Sequence, residues 1–471
     1  MRNESDSLGE LSIPDDIYYG IQTTRALGNS GILGLRINTF PKFIWSIAAI
    51  KKAAAMANAG IGVMDKEIAD AICSAADEVM SGKFDAQFPL DIFQGGGVTP
   101  ANMNMNEVIA NRANEMLTGK KGYDKVHPNT HVNKCQSTND VMPSAVNMAL
   151  YYYLQDLIES LDPLEATLQA KVVEFDDVVK LGRTCLQDAV PITLGQEFSG
   201  YLSFVRRQKR KLTLVAGDCL ELIVGATAVG TGLGVYPGYV DKVYESLNDI
   251  TGVSFRRVAN FFDGMQSCDL FIDVSSALTS LATGLSRIAD ILRLLSSGPR
   301  AGLNEIELPA LQPGSSIMPG KINPVMPELL MHICYQVRGN NHIVLMTVED
   351  GEPDINVWET ILAKCLFESC RLLTECIPMF AEKCLKGIKA NREVCRKYAE
   401  SSTALATVVS SLYGYELGSK VAKAAYKENK TVKEVTIEMG IFTPDEAEKL
   451  LDPMLLTDIE KSAELLKRKT G

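Results

Sequence analysis

The sequence predicts an all-α protein organised around a central bundle of long helices, with smaller regions on either side. Two observations carry this expectation. Apolar residues recur at three- and four-residue intervals through 141–175, 195–227, 270–296 and 327–347, the spacing that keeps one helix face against a core. Strand-like alternation is scarce, and only short segments such as 12–19 offer material for small hairpins. Helices of this length need neighbours of similar length, which makes a bundle the expected centre of the molecule.

A chain of 471 residues exceeds what one compact core usually holds, so the expected division is an N-terminal domain over 1–138, a long-helix bundle over 139–390 and a small C-terminal domain over 391–471. Pro143 is expected to seat the first long helix and Pro163 to kink it. Glycine and proline cluster at 94–100, 182–191, 230–238 and 297–318. Long glycine-rich loops on a helical scaffold can approach a ligand closely, so these are the candidate functional segments. In the C-terminal part, Thr443 to Glu446 has the spacing of a capped helix start.

The formal net charge is -11, with no stretch rich in Lys and Arg alone. That excludes the dense cationic surface that a nucleic-acid or anionic-membrane partner requires. The first ten residues lack the apolar core of a signal peptide, and no later apolar run has membrane-spanning length, so a cytoplasmic protein is expected. The 11 cysteines include no Cys-x-x-Cys pair, and those on apolar helical faces, such as Cys73, Cys334 and Cys365, are expected to be reduced core residues. The 4 histidines have no metal-site spacing. No metal is expected.

Segment 314–328 contains Gly314, Ser315 and Ser316, then Pro319, Gly320, Lys321, Ile322 and Asn323 before Pro327 and Glu328. Glycine and proline at both ends provide hinges around a polar middle. Lys321 supplies a point charge and Asn323 a directed amide donor, which together suit a carboxylate. Glu328, at the start of a helix, also has a plain reading as a first-turn acid. Ser137, Thr138, Asn139 and Asp140 precede the first long helix, where one of them should cap it and the group could bind an anion. Thr99, in a glycine run, and Thr184, beside Arg183, offer further hydroxyls, although Arg183 reads more simply as a buried structural arginine.

Taken in order, these segments resemble the aspartase/fumarase superfamily over nearly the whole chain. The likeness rests on 314–328, on Gln94 to Gly96 with Asn102 to Glu107, on 127–140, on 182–198 and on 296–305. The N-terminal segments 18–23 and 51–58 look closer to its aspartase branch. The resemblance implies a homotetramer whose active sites are shared by three subunits, an amino-acid substrate and no cofactor. The implied reaction is an anti β-elimination through an aci-carboxylate, converting L-aspartate to fumarate and ammonia. By matching position, Ser315 would be the base; Thr99, Ser137, Thr138 and Ser316 would hold the β-carboxylate; Thr184, Lys321 and Asn323 would hold the α-carboxylate; and Asn139 would face the amino group. Lys321 and Glu328 would complete the catalytic set.

Position 185 departs from the pattern. Cys185 stands where fumarases and many aspartases place a histidine paired with the acid that corresponds to Glu328. Cys185 is therefore expected as a substrate neighbour, and the loss of the imidazole weakens fumarate hydratase as an alternative. Gly234 and the acidic segment 349–354 also depart from the aspartase pattern. If the acids lined the pocket, they would suit a cationic leaving group, giving a trimethylamine-releasing betaine lyase as a second alternative. Their plain reading is a solvated helix break.

Overall fold

The computed structural model describes residues 1–32, 34–460 and 462–463. It is mostly helical, as expected, and its longest helices are Thr138–Glu174, Leu194–Asp218, Asp269–Leu295, Val325–Glu349 and Glu359–Lys383. The apolar run over 222–227 is not helical: Gly225 and Thr227 adopt φ of 100° and 57°, and Leu222, Ile223, Val224 and Ala226 are buried in an irregular segment. Periodicity alone could not find that break. The helix Glu359–Lys383 also escaped the periodic reading; it contains Pro378.

The chain packs as two compact units, each built from three segments: 1–159, 209–282 and 335–374 in the first, and 160–208, 283–334 and 375–471 in the second. Each of the five longest helices contributes residues to both units.

In the first unit, Phe367 lies 5.5 Å from Phe40, 5.6 Å from Phe43 and 5.2 Å from Tyr153, centroid to centroid. Such aromatic contacts, with the area they bury, stabilise the unit by about 1.5–3 kcal/mol per side chain. Buried Asn340 donates to Cys365 O and Ser369 Oγ, at 3.2 and 3.0 Å, which fixes the register of two helices. In the second unit, a Cβ added to Gly284 would fall 1.9 Å from the Phe204 ring. Glycine is required there because the ring occupies the space a side chain would need.

Small antiparallel hairpins decorate this scaffold. One pairs Arg2–Asp6 with Gly9–Ile13, upstream of the 12–19 segment expected from sequence. Its alternation is almost entirely polar because most of the hairpin is exposed, and Pro14 ends the ladder by lacking an N–H. The expected cap at Thr443 is present: Thr443 Oγ1 accepts from Glu446 N–H at 3.3 Å while the Glu446 carboxylate accepts from Thr443 N–H at 2.8 Å.

Candidate active site

The first unit presents two helix N-termini that carry predicted residues. Thr99 opens the helix Thr99–Thr118 and is exposed. The preceding chain reaches it through Gly96, Gly97 and Val98, all at positive φ (80°, 59° and 63°).

Ser137 caps the helix Thr138–Glu174, its Oγ accepting from Asn139 N–H at 3.3 Å while its own N–H donates to Asp140 Oδ1 at 2.8 Å. The plain capping role considered for this group therefore falls to Ser137, assisted by Asp140. Because this cap starts the helix at Thr138, Pro143 lies inside it rather than seating its first turn.

Asp140 is fully buried, and its Oδ2 accepts from the N–H groups of Gly225 and Thr227 at 2.9 and 3.0 Å. Burial pushes its carboxyl up, against these backbone donors and the charge of Lys51. The irregular 225–227 segment is thereby fastened to the helix start. Asn139 Nδ2 donates to Ala228 O at 2.8 Å, and Thr138 Oγ1 accepts from Asn102 Nδ2 at 3.0 Å.

Behind Thr138 lies Lys51, a residue that sequence reasoning did not single out for function. It is fully buried, and its Nζ donates to Asn102 Oδ1, Asn133 Oδ1 and Gln136 Oε1 at 2.8, 3.0 and 3.0 Å. An ammonium has three donors, and three amide oxygens receive them here. Burial nevertheless pushes its pKa down to about 7. The available signal was a lysine pair interrupting the apolar run from Phe43 to Ala57.

The second unit holds the remaining predicted residues in two separate places. Segment 314–328 is a loop closed at its neck: Gly314 N–H donates to Lys321 O at 2.8 Å, and Asn323 Nδ2 donates to Gly314 O at 2.9 Å. A Cβ on Gly314 would approach Lys321 O to 2.5 Å, so only glycine permits this neck. Ser315 Oγ accepts from Ile317 N–H and Met318 N–H at 3.3 and 3.0 Å. Two donors aimed at one hydroxyl oxygen favour its anionic form. Lys321 Nζ donates to Asn323 Oδ1 at 2.8 Å, so the two expected carboxylate donors hold each other.

Ser316 and Lys321 are exposed, as are the apolar tip residues Ile317, Met318 and Ile322. Glu328 lies in the first turn of Val325–Glu349, with Arg293 Nη2 at 3.8 Å from its Oε1.

Thr184 and Cys185 sit at the tip of the hairpin formed by Val179–Thr184 and Gln187–Thr193. Cys185 and Leu186 form the turn at φ 53° and 58°, and both Thr184 and Cys185 are exposed. The hairpin is anchored by a buried charge cluster. Arg183 forms a two-pronged pair with fully buried Glu305 at 2.9 and 3.0 Å, and Lys180 joins Glu197 at 2.6 Å and Glu305 at 3.3 Å. The structural reading of Arg183 describes it. Among the described residues, no hydrogen bond joins Thr184 or Cys185 to segment 314–328.

The acids of segment 349–354, Glu349, Asp350, Glu352 and Asp354, are all exposed at a helix end. Among the described residues, no helix is long and apolar enough to cross a membrane.

Comparison with known proteins adds to this geometry. The family described as Lyase matches residues 9–339, and Fumarase C C-terminus matches 405–458. The chain is 44% identical over 458 residues to an aspartate ammonia-lyase of a Bacillus species, covering 97% of each chain. It is 42% identical over 448 residues to the aspartate ammonia-lyase of Escherichia coli K12, covering 95% of this chain and 94% of that one. Among solved structures it resembles the fumarate lyase:delta crystallin of Brucella melitensis bound to cobalt, with TM-score 0.94 and 43% identity over 97% of this chain and 99% of that one. A class II fumarase from Schistosoma mansoni gives TM-score 0.93 and 36% identity over the same shares.

Proposed function

We propose, from the premise that this chain belongs to the lyase family with a fumarase C-type C-terminal segment, that it eliminates ammonia from L-aspartate to give fumarate. The observation that carries the choice of substrate is near-full-length identity of 42–44% to several aspartate ammonia-lyases, set beside Cys185 where a hydratase would use a histidine.

In this reading, Ser315 removes the Cβ proton. The N–H groups of Ile317 and Met318 already point at its oxygen, which supports a hydroxyl acting as a base. Proton loss beside a carboxylate places two negative charges on one carboxyl group, so fixed donors around it are the main catalytic requirement. The helix N-termini at Thr99 and at Ser137 and Thr138 supply hydroxyls and partial positive charge for that group, joined by Ser316. Thr184, Lys321 and Asn323 receive the α-carboxylate, which would draw Lys321 and Asn323 away from each other. Asn139 faces the amine, Glu328 stands behind the lid, and Cys185 neighbours the substrate without serving as an acid or base.

The reading includes a homotetramer whose active sites are shared by three subunits, which the likeness to the family implies. The reading also includes a cytoplasmic location, no resident cofactor and the three-region boundaries at 138/139 and 390/391. The exposed acids at 349–354 give no support to a cationic leaving group. The test is the ultraviolet absorbance of fumarate formed from L-aspartate. Fumarate production from malate with none from aspartate would overturn the reading in favour of a hydratase. Turnover of ergothioneine alone would overturn it in favour of a betaine lyase.

A further inference from the structure

Thr138 is half-buried at the first position of the helix Thr138–Glu174, and its Oγ1 accepts from Asn102 Nδ2 at 3.0 Å. A hydroxyl has one proton of its own to give. Asn102 turns an NH₂ group toward it, which cannot accept that proton, and among the described residues no other protein group receives it. A threonine inside a helix would give it to the carbonyl four residues back, but at the helix start that carbonyl is not in the helix. The proton remains available to a ligand.

The orientation of the Asn102 amide, with nitrogen rather than oxygen toward Thr138, is set by Lys51. Asn102 is buried in Thr99–Thr118, and Lys51 is fully buried in Pro41–Gly60. An ammonium donates and does not accept, so Asn102 must turn its oxygen to Nζ, at 2.8 Å. Asn133 is oriented in the same way, its Oδ1 lying 3.0 Å from Lys51 Nζ, and that oxygen accepts from Asn102 Nδ2 at 3.3 Å. An inverted Asn102 would set its oxygen against the Asn133 oxygen and its NH₂ against the ammonium.

We infer that Lys51 and Asn102 are positioning residues for the elimination: by fixing the sense of the Asn102 amide, they leave the Thr138 hydroxyl as a donor to the β-carboxylate. This rests on the proposed elimination, in which Thr138 holds that carboxylate. Hydrogen bonds in series polarise one another, so the buried cation also strengthens the donor at the end of the chain. Lys51 thereby acts on the reaction without touching the substrate.

The experiment is a double-mutant cycle on the intact protein with Asn102→Asp and Thr138→Val, followed by the absorbance of fumarate. A carboxylate at 102 still accepts from Lys51, so Tm should not fall. It also offers Thr138 an acceptor and draws the hydroxyl proton inward. Asn102→Asp should therefore lower kcat/KM for L-aspartate by about 10²-fold, as loss of one donor to developing charge does. Thr138→Val should lose a similar factor. In the Thr138→Val background the further loss from Asn102→Asp should be at least about tenfold smaller than in the parent, because repulsion by the added charge is common to both and cancels in the cycle. Equal losses in the two backgrounds would overturn the inference, as would near-parent turnover of Asn102→Asp. If that variant misfolds, Lys51→Met, which frees both amides to invert, replaces it in the same cycle with the same two overturning outcomes. Turnover of malate in place of aspartate would overturn the choice of substrate alone; the cycle would then be run on malate, which presents the same β-carboxylate.

Discussion

The helix start at 137–140 and the loop at 314–328 carry comparable numbers of polar groups but satisfy them in opposite ways. Around the helix start, buried partners drawn from distant parts of the chain hold the donors: Asp140 grips Gly225 and Thr227, and Lys51 grips Asn102, Asn133 and Gln136. In the loop the partners are local, Gly314 with Lys321 and Asn323, and Ser315 with Ile317 and Met318. The first arrangement holds its donors in place before any ligand arrives. The second lets a whole exposed segment keep its shape while its side chains remain free to change partners. A reaction that needs both a rigid charge-stabilising pocket and a closing lid divides the work in this way.

The difference can be broken most severely on the loop side. Ser315→Ala should reduce kcat for aspartate by about 10²–10⁴-fold, the usual worth of a general base. Circular dichroism and Tm should stay near those of the parent, because the hydroxyl is half-exposed and bonds only locally. Near-normal turnover would remove the base assignment. Lys321→Ala should lower kcat/KM by about 10²–10³-fold, as loss of a donor to developing charge does, with KM raised as well. An unchanged KM would show that Lys321 does not bind the ground-state carboxylate.

On the rigid side the main expected loss is stability. Asp140→Ala leaves the N–H groups of Ser137, Gly225 and Thr227 without their acceptor, at about 1–3 kcal/mol for each one left buried and unpaired. Urea unfolding should show a clearly lowered midpoint, and an unchanged midpoint would mean that the 225–227 segment is held by other contacts.

Lys51 sharpens the point through pH. Its folded-state value of about 7 lies below the ordinary 10.5, so between those values the unfolded chain holds a proton that the folded chain lacks. Stability from this group therefore rises with pH across that window and is lost as pH falls through about 7, with a slope of up to about 1.4 kcal/mol per pH unit. Lys51→Met should flatten that slope in unfolding curves taken at several pH values. Parallel curves for parent and variant would contradict a depressed Lys51.

The smallest effect is expected at the hairpin tip. Cys185 is exposed and its strand is anchored by Arg183 and Glu305, so Cys185→Ser should change stability by less than about 0.5 kcal/mol. Activity on aspartate should stay within about twofold.

The same contrast governs what the sequence could disclose. Segment 314–328 was legible because its partners lie within a few positions of one another, as were a cap somewhere in 137–140 and the box at Thr443. The lysine pair at 51–52 marked an interrupted apolar run, but the network around Lys51 was not legible, because its acceptors stand 51 to 85 residues away and no periodic pattern marks a polar network assembled by folding. The break after Asp218 was hidden for a related reason: a buried irregular segment is as apolar as a helix, and the positive φ of Gly225 and Thr227 that distinguishes it is not written in hydrophobic spacing. The first hairpin was missed because exposed strands need no apolar alternation.

The neck between Gly314 and Lys321 has a consequence for how such a loop can change over time. Pinching the chain there makes the loop a closed ring, and the entropy lost in closing a ring grows only as the logarithm of its length. Residues added or exchanged at the Ile317 and Met318 tip would therefore cost little conformational free energy while the pinch holds. Side chains can be exchanged at that tip without disturbing Ser315, whose partners there are backbone N–H groups, whereas residues inserted between Ser315 and Met318 would displace those donors and a side chain in place of Gly314 would open the ring.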